Sequence, residues 1–195
     1  QIVLYQLVSL SRGGAPAPMS TRAGEFVTLR EVVDEVGRDA ARFFFLQRSA
    51  NSGLEFDLDL AKRQAPENPV YYVQYGHARI CSIFREAEKQ GYDVGADLQV
   101  GPPLARLVEP EELALMRRLA RFPVVVEACA RDLAPHHIPE YLLDLVRAFH
   151  GYYDRFRVLG EDRELATARL ALLDGVRTVL RRGLVEVAVD VDGET

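Results

Sequence analysis

Only two cysteines occur in the 195 residues, Cys81 and Cys129, and neither lies at a spacing that a metal or a disulfide framework requires. Both fall inside helical patterns, so they read as free buried thiols and point to a reducing cytoplasm. No uninterrupted apolar run is long enough for a membrane span, and no secretory leader pattern is present. Excess positive charge is missing too. The formal net charge is −5, which argues against a protein that grips nucleic acid over its whole surface by phosphate attraction. No nucleophile-elbow motif supports a Ser, His and Asp hydrolase. His136 and His137 are adjacent, which on a helix points them apart, and with no Cys or acidic partner at a ligand spacing no metal site is expected. There is no internal repeat and no low-complexity tract.

What is present is uneven. Between Val146 and Gly183 there are eight Arg (147, 155, 157, 163, 169, 177, 181 and 182) and five acids (154, 161, 162, 164 and 174). That leaves a basic C-terminal stretch on an acidic body, a distribution that can position an anionic ligand or simply reflect solvated helix faces.

The chain is long enough for one substantial core, or for one domain plus part of another. Alternation at Ile2, Leu4 and Leu7 predicts a strand, followed by a glycine and proline loop from Gly13 to Pro18. Thr28 with Glu31 forms a capping-box pattern for a helix that runs through Val36 and ends near Gly37. A second short helix, Asp39 to Arg48, carries Phe43, Phe44 and Phe45 and is expected to be inserted between two domains. Asn68 followed by Pro69 is a strong start for a helix running to Gln90.

From Gly91 to Pro110 a loop packed over a bundle is expected, then two helices, Glu111 to Arg121 and Pro123 to Leu133, joined at the proline. From Pro139 the apolar positions Leu142, Leu145, Phe149, Tyr152, Phe156 and Leu159 step by three and four, which predicts one long helix with all six on one side. A last helix, from about Glu164 to Arg182, is apolar nearly all round and so should be central.

Several blocks in order carry a family resemblance: PMSTRAGEFVTL at 18–29, DAARFFFLQRSANSGLEFDLDLAKRQ, NPVYYVQYGHARICSIFR at 68–85, AFHGYYDRFRVLG, and LATARLALLDGVRTVLRRGL. Together they resemble the C-terminal part of class I arginyl-tRNA synthetases. The resemblance implies a mostly α fold, a helical-bundle anticodon-binding domain over 61–195. A small α/β remnant of a Rossmann-like catalytic domain would precede it over 1–60. In the first block Met19, Ser20 and Arg22 match the loop that closes over ATP in this family, while Thr21 stands where the catalytic lysine is usual.

Nothing here resembles the family's His-Ile-Gly-His signature or its arginine pocket. The resemblance therefore implies a truncated piece, inactive alone, of an enzyme that uses ATP with Mg2+ to attach arginine to arginine tRNA. No cofactor is expected on this chain by itself. A stand-alone paralogue that binds tRNA or another RNA, or a helical protein-interaction module, are the alternatives.

Candidate RNA-contacting residues follow from the same blocks. Tyr72, Gln74, Tyr75, His77 and Arg79 belong to the segment that lies near the anticodon stem and loop in the family. Tyrosines beside a guanidinium suit unstacked bases. His77 also falls on the apolar stripe Val73, His77, Ile80 and Phe84, where a core histidine is the plainer reading. On the long helix Arg147, His150, Asp154 and Arg157 read as a polar face with Tyr153 on its border. The resemblance makes Tyr153 and Arg157 anticodon contacts, while packing alone makes Tyr153 a core-rim ring. Arg177, Arg181 and Arg182 sit near the end of the last helix, where capping electrostatics alone explains them, and Arg177 and Arg181 are candidates for phosphate contact in addition.

Overall fold

The computed structural model describes residues 2–17, 27–99, 101–160 and 162–191. The ATP-loop residues Met19, Ser20, Thr21 and Arg22 lie outside them.

A small three-stranded sheet opens the chain. β1 (Val8–Arg12) sits between β2 (Ala15–Pro16), antiparallel to it, and β3 (Leu54–Asp57), parallel to it, with Leu10 opposite Phe56. The expected strand thus begins later than the alternation at Ile2, Leu4 and Leu7 implies. Ile2 and Leu7 are 89% and 87% exposed, because no neighbouring strand extends past the Val8 and Leu54 pair.

α1 (Leu29–Val36) carries the full capping box, with Thr28 Oγ1 accepting from Glu31 N and Glu31 Oε2 accepting from Thr28 N at 2.6 Å. It stops at Gly37, whose φ of 83° is one that other residues rarely adopt. α2 (Arg38–Leu46) buries Phe43 and Phe44, and Phe44 and Phe45 both lie against Phe56 of β3 at 5.1 and 5.2 Å. α3 (Leu58–Lys62) closes this layer, capped by Asp57.

The rest is a bundle of four long helices. α4 (Pro69–Lys89) starts where Asn68 caps Val70 N, as the Asn-Pro signal requires. The 91–110 connection is more ordered than a loop: it contains α5 (Val94–Gln99) and a 3-10 turn at Leu104–Arg106.

α6 (Pro110–Asp132) is one helix where two were expected. Pro123 removes only the bond to the Leu119 carbonyl. Its exposed position leaves that carbonyl free to meet water, so the helix continues through it.

α7 (His137–Tyr153) is shorter than the apolar stepping predicts. Leu142, Leu145, Phe149 and Tyr152 are buried as expected, but Phe156 and Leu159 lie past the helix end. Arg169 Nη1 donates to the Arg157 carbonyl at 2.9 Å, so that acceptor serves α8 instead of a further helical turn. Phe156 still packs on the core through its ring, 5.2 Å from Tyr152.

α8 (Arg163–Glu186) packs against α4, α5, α6 and α7, the central place its all-round apolar surface predicts. Between α6 and α8 the buried Glu112 carboxylate meets Arg169 Nε at 2.8 Å, with the Tyr152 hydroxyl also facing it. Burial lifts the Tyr152 phenol well above the ordinary tyrosine range, so it stays a neutral donor.

Candidate functional site

α4 presents two stripes that step by three and four residues. Tyr72, Tyr75 and Arg79 form one, and Gln74, His77 and Cys81 form the other. The first stripe turns to α7 and the second to α8 and the C-terminal segment.

The α4–α7 contact is close because of one residue. A β carbon at Gly76 would lie 2.2 Å from Val146 Cγ2, so only glycine lets the helices meet this way. That approach brings His150 of α7 among the α4 tyrosines, with ring centroids 5.1 Å from Tyr72 and 5.9 Å from Tyr75. Tyr75 in turn stacks on Tyr71 at 6.1 Å and is 45% exposed, so this run of rings ends in an open face.

His150 is only 9% exposed, which corrects its placement on a polar face: it lies in the packing layer. Its pKa is lowered, first by burial, then by the Arg79 charge, with Asp154 opposing. The imidazole is therefore neutral at neutral pH, and its Nδ1 accepts from Arg79 Nη1 at 3.4 Å.

Arg79 continues past His150 to lie 4.5 Å over the centroid of Tyr153, a cation–π contact across the two helices. Tyr153 is half-buried and also contacts Phe149 at 5.9 Å. Arg79 and Tyr153 form one end of a groove of about 880 Å3, walled by the last turns of α4 and the chain that follows α7.

Five cations (Arg79, Arg85, Lys89, Arg155 and Arg157) and two acids (Glu86 and Asp154) line that groove. Lys89 pairs with Glu86 at 3.6 Å and Arg155 with Glu111. The guanidinium groups of Arg85 and Arg157 form no ion pair among the described residues. Arg157 reaches the groove from the turn after α7, not from the helix face that sequence periodicity assigns to it. Such a groove offers flat surfaces for stacking and unpaired positive charge for phosphate. Arg85, Lys89 and Arg155 were not among the expected site residues. The spacing 79, 82, 86 and 89 along α4 was the available signal for Lys89.

The other expected residues lie elsewhere. Gln74 Nε2 donates to the Asp190 carbonyl at 2.8 Å, beside Asp39, whose Oδ2 accepts from Asp190 N at 3.0 Å. Gln74 therefore fastens the C-terminal segment to α4, and Asp39 fastens it to α2. His77 is buried, with Cys81 Sγ 3.8 Å from its Nδ1. Arg177 pairs with Asp174 at 2.6 Å and covers the Phe84 ring at 4.4 Å, while Arg181 is exposed. His77, Cys81, Arg177 and Arg181 share a second, smaller concavity between α4 and α8. The structure thus brings Tyr72, Tyr75, Arg79, Tyr153 and Arg157 to one side and leaves Gln74, His77, Arg177 and Arg181 on another.

His136 and His137 correct a further expectation. His136 precedes α7 and His137 begins it, so their rings are not splayed: the centroids are 4.1 Å apart. Glu140 is the acidic partner that the sequence reading missed, with Oε2 3.1 Å from His137 Nδ1.

Among known proteins, residues 73–190 match the DALR anticodon binding domain. An arginine–tRNA ligase of Syntrophotalea carbinolica is 54% identical over 97% of this chain and 34% of its own length. One from Desulfosudis oleivorans is 53% identical over 96% of this chain and 34% of its own length. The chain thus spans about a third of the length of the curated relatives it matches. A Campylobacter jejuni structure described as an arginyl-tRNA synthetase superposes with a TM-score of 0.82 at 28% identity, covering 98% of this chain and 40% of that one. The Thermus thermophilus arginyl-tRNA synthetase shares the fold, with a TM-score of 0.69 at 23% identity over 93% of this chain and 34% of that one.

Proposed function

The chain belongs to the DALR anticodon-binding domain family, and from that premise we propose that it is the part of an arginine–tRNA ligase that holds the anticodon region of arginine tRNA. The observation that carries this reading is the basic groove in which the Arg79 guanidinium lies over the Tyr153 ring. In it Tyr153, and beside it the exposed ring of Tyr75, give bases a face to stack on, and Arg85 and Arg157 draw phosphates, which is how unpaired RNA is held. The basic end on an otherwise acidic chain suits a ligand gripped at one place.

One domain boundary accompanies the proposal. Residues 1–60 belong with the catalytic domain and 61–195 with the anticodon-binding domain. In the intact ligase Met19, Ser20 and Arg22 contact ATP, which with Mg2+ activates arginine as an adenylate before arginine passes to the terminal ribose of the tRNA. The setting is the reducing cytoplasm that two free thiols suit, and no described helix is long and apolar enough to cross a membrane. The 195-residue chain alone is expected to show no arginine-dependent exchange of pyrophosphate into ATP.

Tyr153 is the test. Replacing it with Ala removes a stacking face worth about 1–3 kcal/mol per base, while Phe keeps the ring and its contact with Arg79. Titrations at one salt concentration should show Tyr153→Ala losing affinity for arginine tRNA while Tyr153→Phe does not. A tRNA with a mutated anticodon should not sense the change. Equal losses for both tRNAs, in a variant that melts like the parent, would withdraw the reading.

A further inference from the structure

We propose that His136, His137 and Glu140 form a surface site for a divalent transition-metal ion of the zinc class. The inference stands on the turn between α6 and α7 and does not rest on RNA binding. α6 is closed by its cap Leu133, whose φ of 51° puts it in the left-handed region, and Ala134 N then donates back to Cys129 O at 3.0 Å. The turn re-enters a helix through His137 N to Ala134 O and Ile138 N to Pro135 O. His136 therefore projects from the turn and His137 from the first residue of α7, while Glu140 comes round three residues later onto the same side.

The ligand atoms of the three side chains lie within 4.8 Å of one another. Zinc holds imidazole nitrogen and carboxylate oxygen at about 2.0–2.2 Å in a tetrahedron, which sets ligand atoms about 3.3–3.6 Å apart. His137 Nδ1 and Glu140 Oε2, at 3.1 Å, already stand near that separation. Closing the remaining edges calls for shifts of about 1.5 Å at most. The half-exposed side chains of His137 and Glu140 can supply them by rotation about their own bonds.

Two imidazoles with one carboxylate and an open fourth position favour zinc, nickel or copper over magnesium or calcium, which prefer all-oxygen shells. The positive end of α7 opposes a cation, and the Glu140 carboxylate beside it offsets part of that charge. A bound ion would clip the α6–α7 turn shut. His137 and Tyr153 are sixteen residues apart on α7, so the site lies about 24 Å from the basic groove.

The tag-free, metal-stripped chain should be titrated with Zn2+ by calorimetry and with Co2+ by visible absorption. Saturable one-to-one binding is expected, with cobalt bands of a nitrogen and oxygen site and a rise in melting temperature that a chelator reverses. His137→Ala and Glu140→Gln should each lower affinity by about tenfold or more, no less than outer-sphere partners do, without moving the metal-free melting temperature. Should His137→Ala unfold, Glu140→Gln, on an exposed side chain, decides alone. Absence of saturable binding, binding unchanged in Glu140→Gln, or thiolate-to-cobalt charge transfer from Cys81 or Cys129 would overturn the assignment.

Discussion

Gly76→Ala probes whether the close crossing of α4 and α7 is held open by a single missing methyl group. The new β carbon would sit 2.2 Å from Val146 Cγ2, well inside the roughly 3.5–4.0 Å at which carbon atoms attract. Val146 is fully buried, and a β-branched side chain in a helix has one strongly preferred χ1, so it cannot turn aside. The helices must part instead, at about 2–3 kcal/mol, the upper part of the range for overpacking. Against this, alanine gains about 1 kcal/mol over glycine inside a helix.

A net loss of about 1–2 kcal/mol remains, a fall of about 2–8 °C in Tm for a chain of this size. In a Val146→Ala background the sign should reverse. That substitution costs about 1.6 kcal/mol for two buried methyl groups plus a cavity, but it removes the atom that clashes. The methyl group added by Gly76→Ala then meets the β carbon of residue 146 at 3.5 Å and His150 Nε2 at 3.8 Å, both ordinary contacts, fills part of the void and keeps the helix propensity of alanine. Urea denaturation of the four proteins, followed by circular dichroism, measures the coupling. If Gly76→Ala destabilises both backgrounds equally, the crossing does not depend on Gly76 and the account of how the rings are gathered fails.

Arg169→Leu leaves the wholly buried Glu112 carboxylate without its partner and should cost about 3–5 kcal/mol, largely restored by adding Glu112→Gln; a loss under about 0.5 kcal/mol, typical of surface changes, would show that the pair is not what burial implies. His150 has a folded pKa below its ordinary value of about 6.5, so its share of stability is present above that pH and is lost as pH falls through the folded value. Arg79 of α4 and Asp154 beyond α7 are the charges that face it, with Tyr72 and Tyr75 beside it. His150→Phe should therefore flatten part of the stability slope between about pH 7 and pH 5, and identical slopes would contradict this. Arg157→Gln should lower the salt dependence of tRNA binding by about one unit of slope, whereas an unchanged slope would place Arg157 off the phosphate path.

Local chemistry was legible where it is decided locally. The capping box at Thr28 and Glu31 and the Asn68 and Pro69 start depend on neighbours within four residues, and both helices begin where those signals fall. The burial of Leu142, Leu145, Phe149 and Tyr152 followed from periodicity, because one side of α7 faces the core along its length. Tertiary partners decided the rest. Pro123 interrupts nothing because its side of α6 is exposed, and the spacing that reaches Phe156 and Leu159 could not reveal that Arg169 captures the Arg157 carbonyl. The candidate site divided for a related reason. Tyr72, Tyr75 and Arg79 are two residues out of step with Gln74 and His77, which is about 200° around a helix of 3.6 residues per turn. The separation was therefore visible, but which stripe faces α7 was not.

The Arg79 arrangement also shows how packing fixes a charged side chain at this groove. Arginine only donates, so its contact with His150 Nδ1 assigns the imidazole hydrogen to Nε2. That Nε2 is buried with no hydrogen-bond partner among the described residues, a cost of about 1–3 kcal/mol. The ring contacts with Tyr72, Tyr75 and Phe149 offset it. In return the guanidinium is held at two points, by the imidazole and by the Tyr153 face, before any ligand arrives. Immobilising a free side chain of this kind on binding costs about 0.5–1.5 kcal/mol, and here folding has already met that cost. A base entering the groove would meet a fixed plane and charge, so variants that loosen His150 should weaken RNA binding even though its unpaired nitrogen is sealed from the ligand.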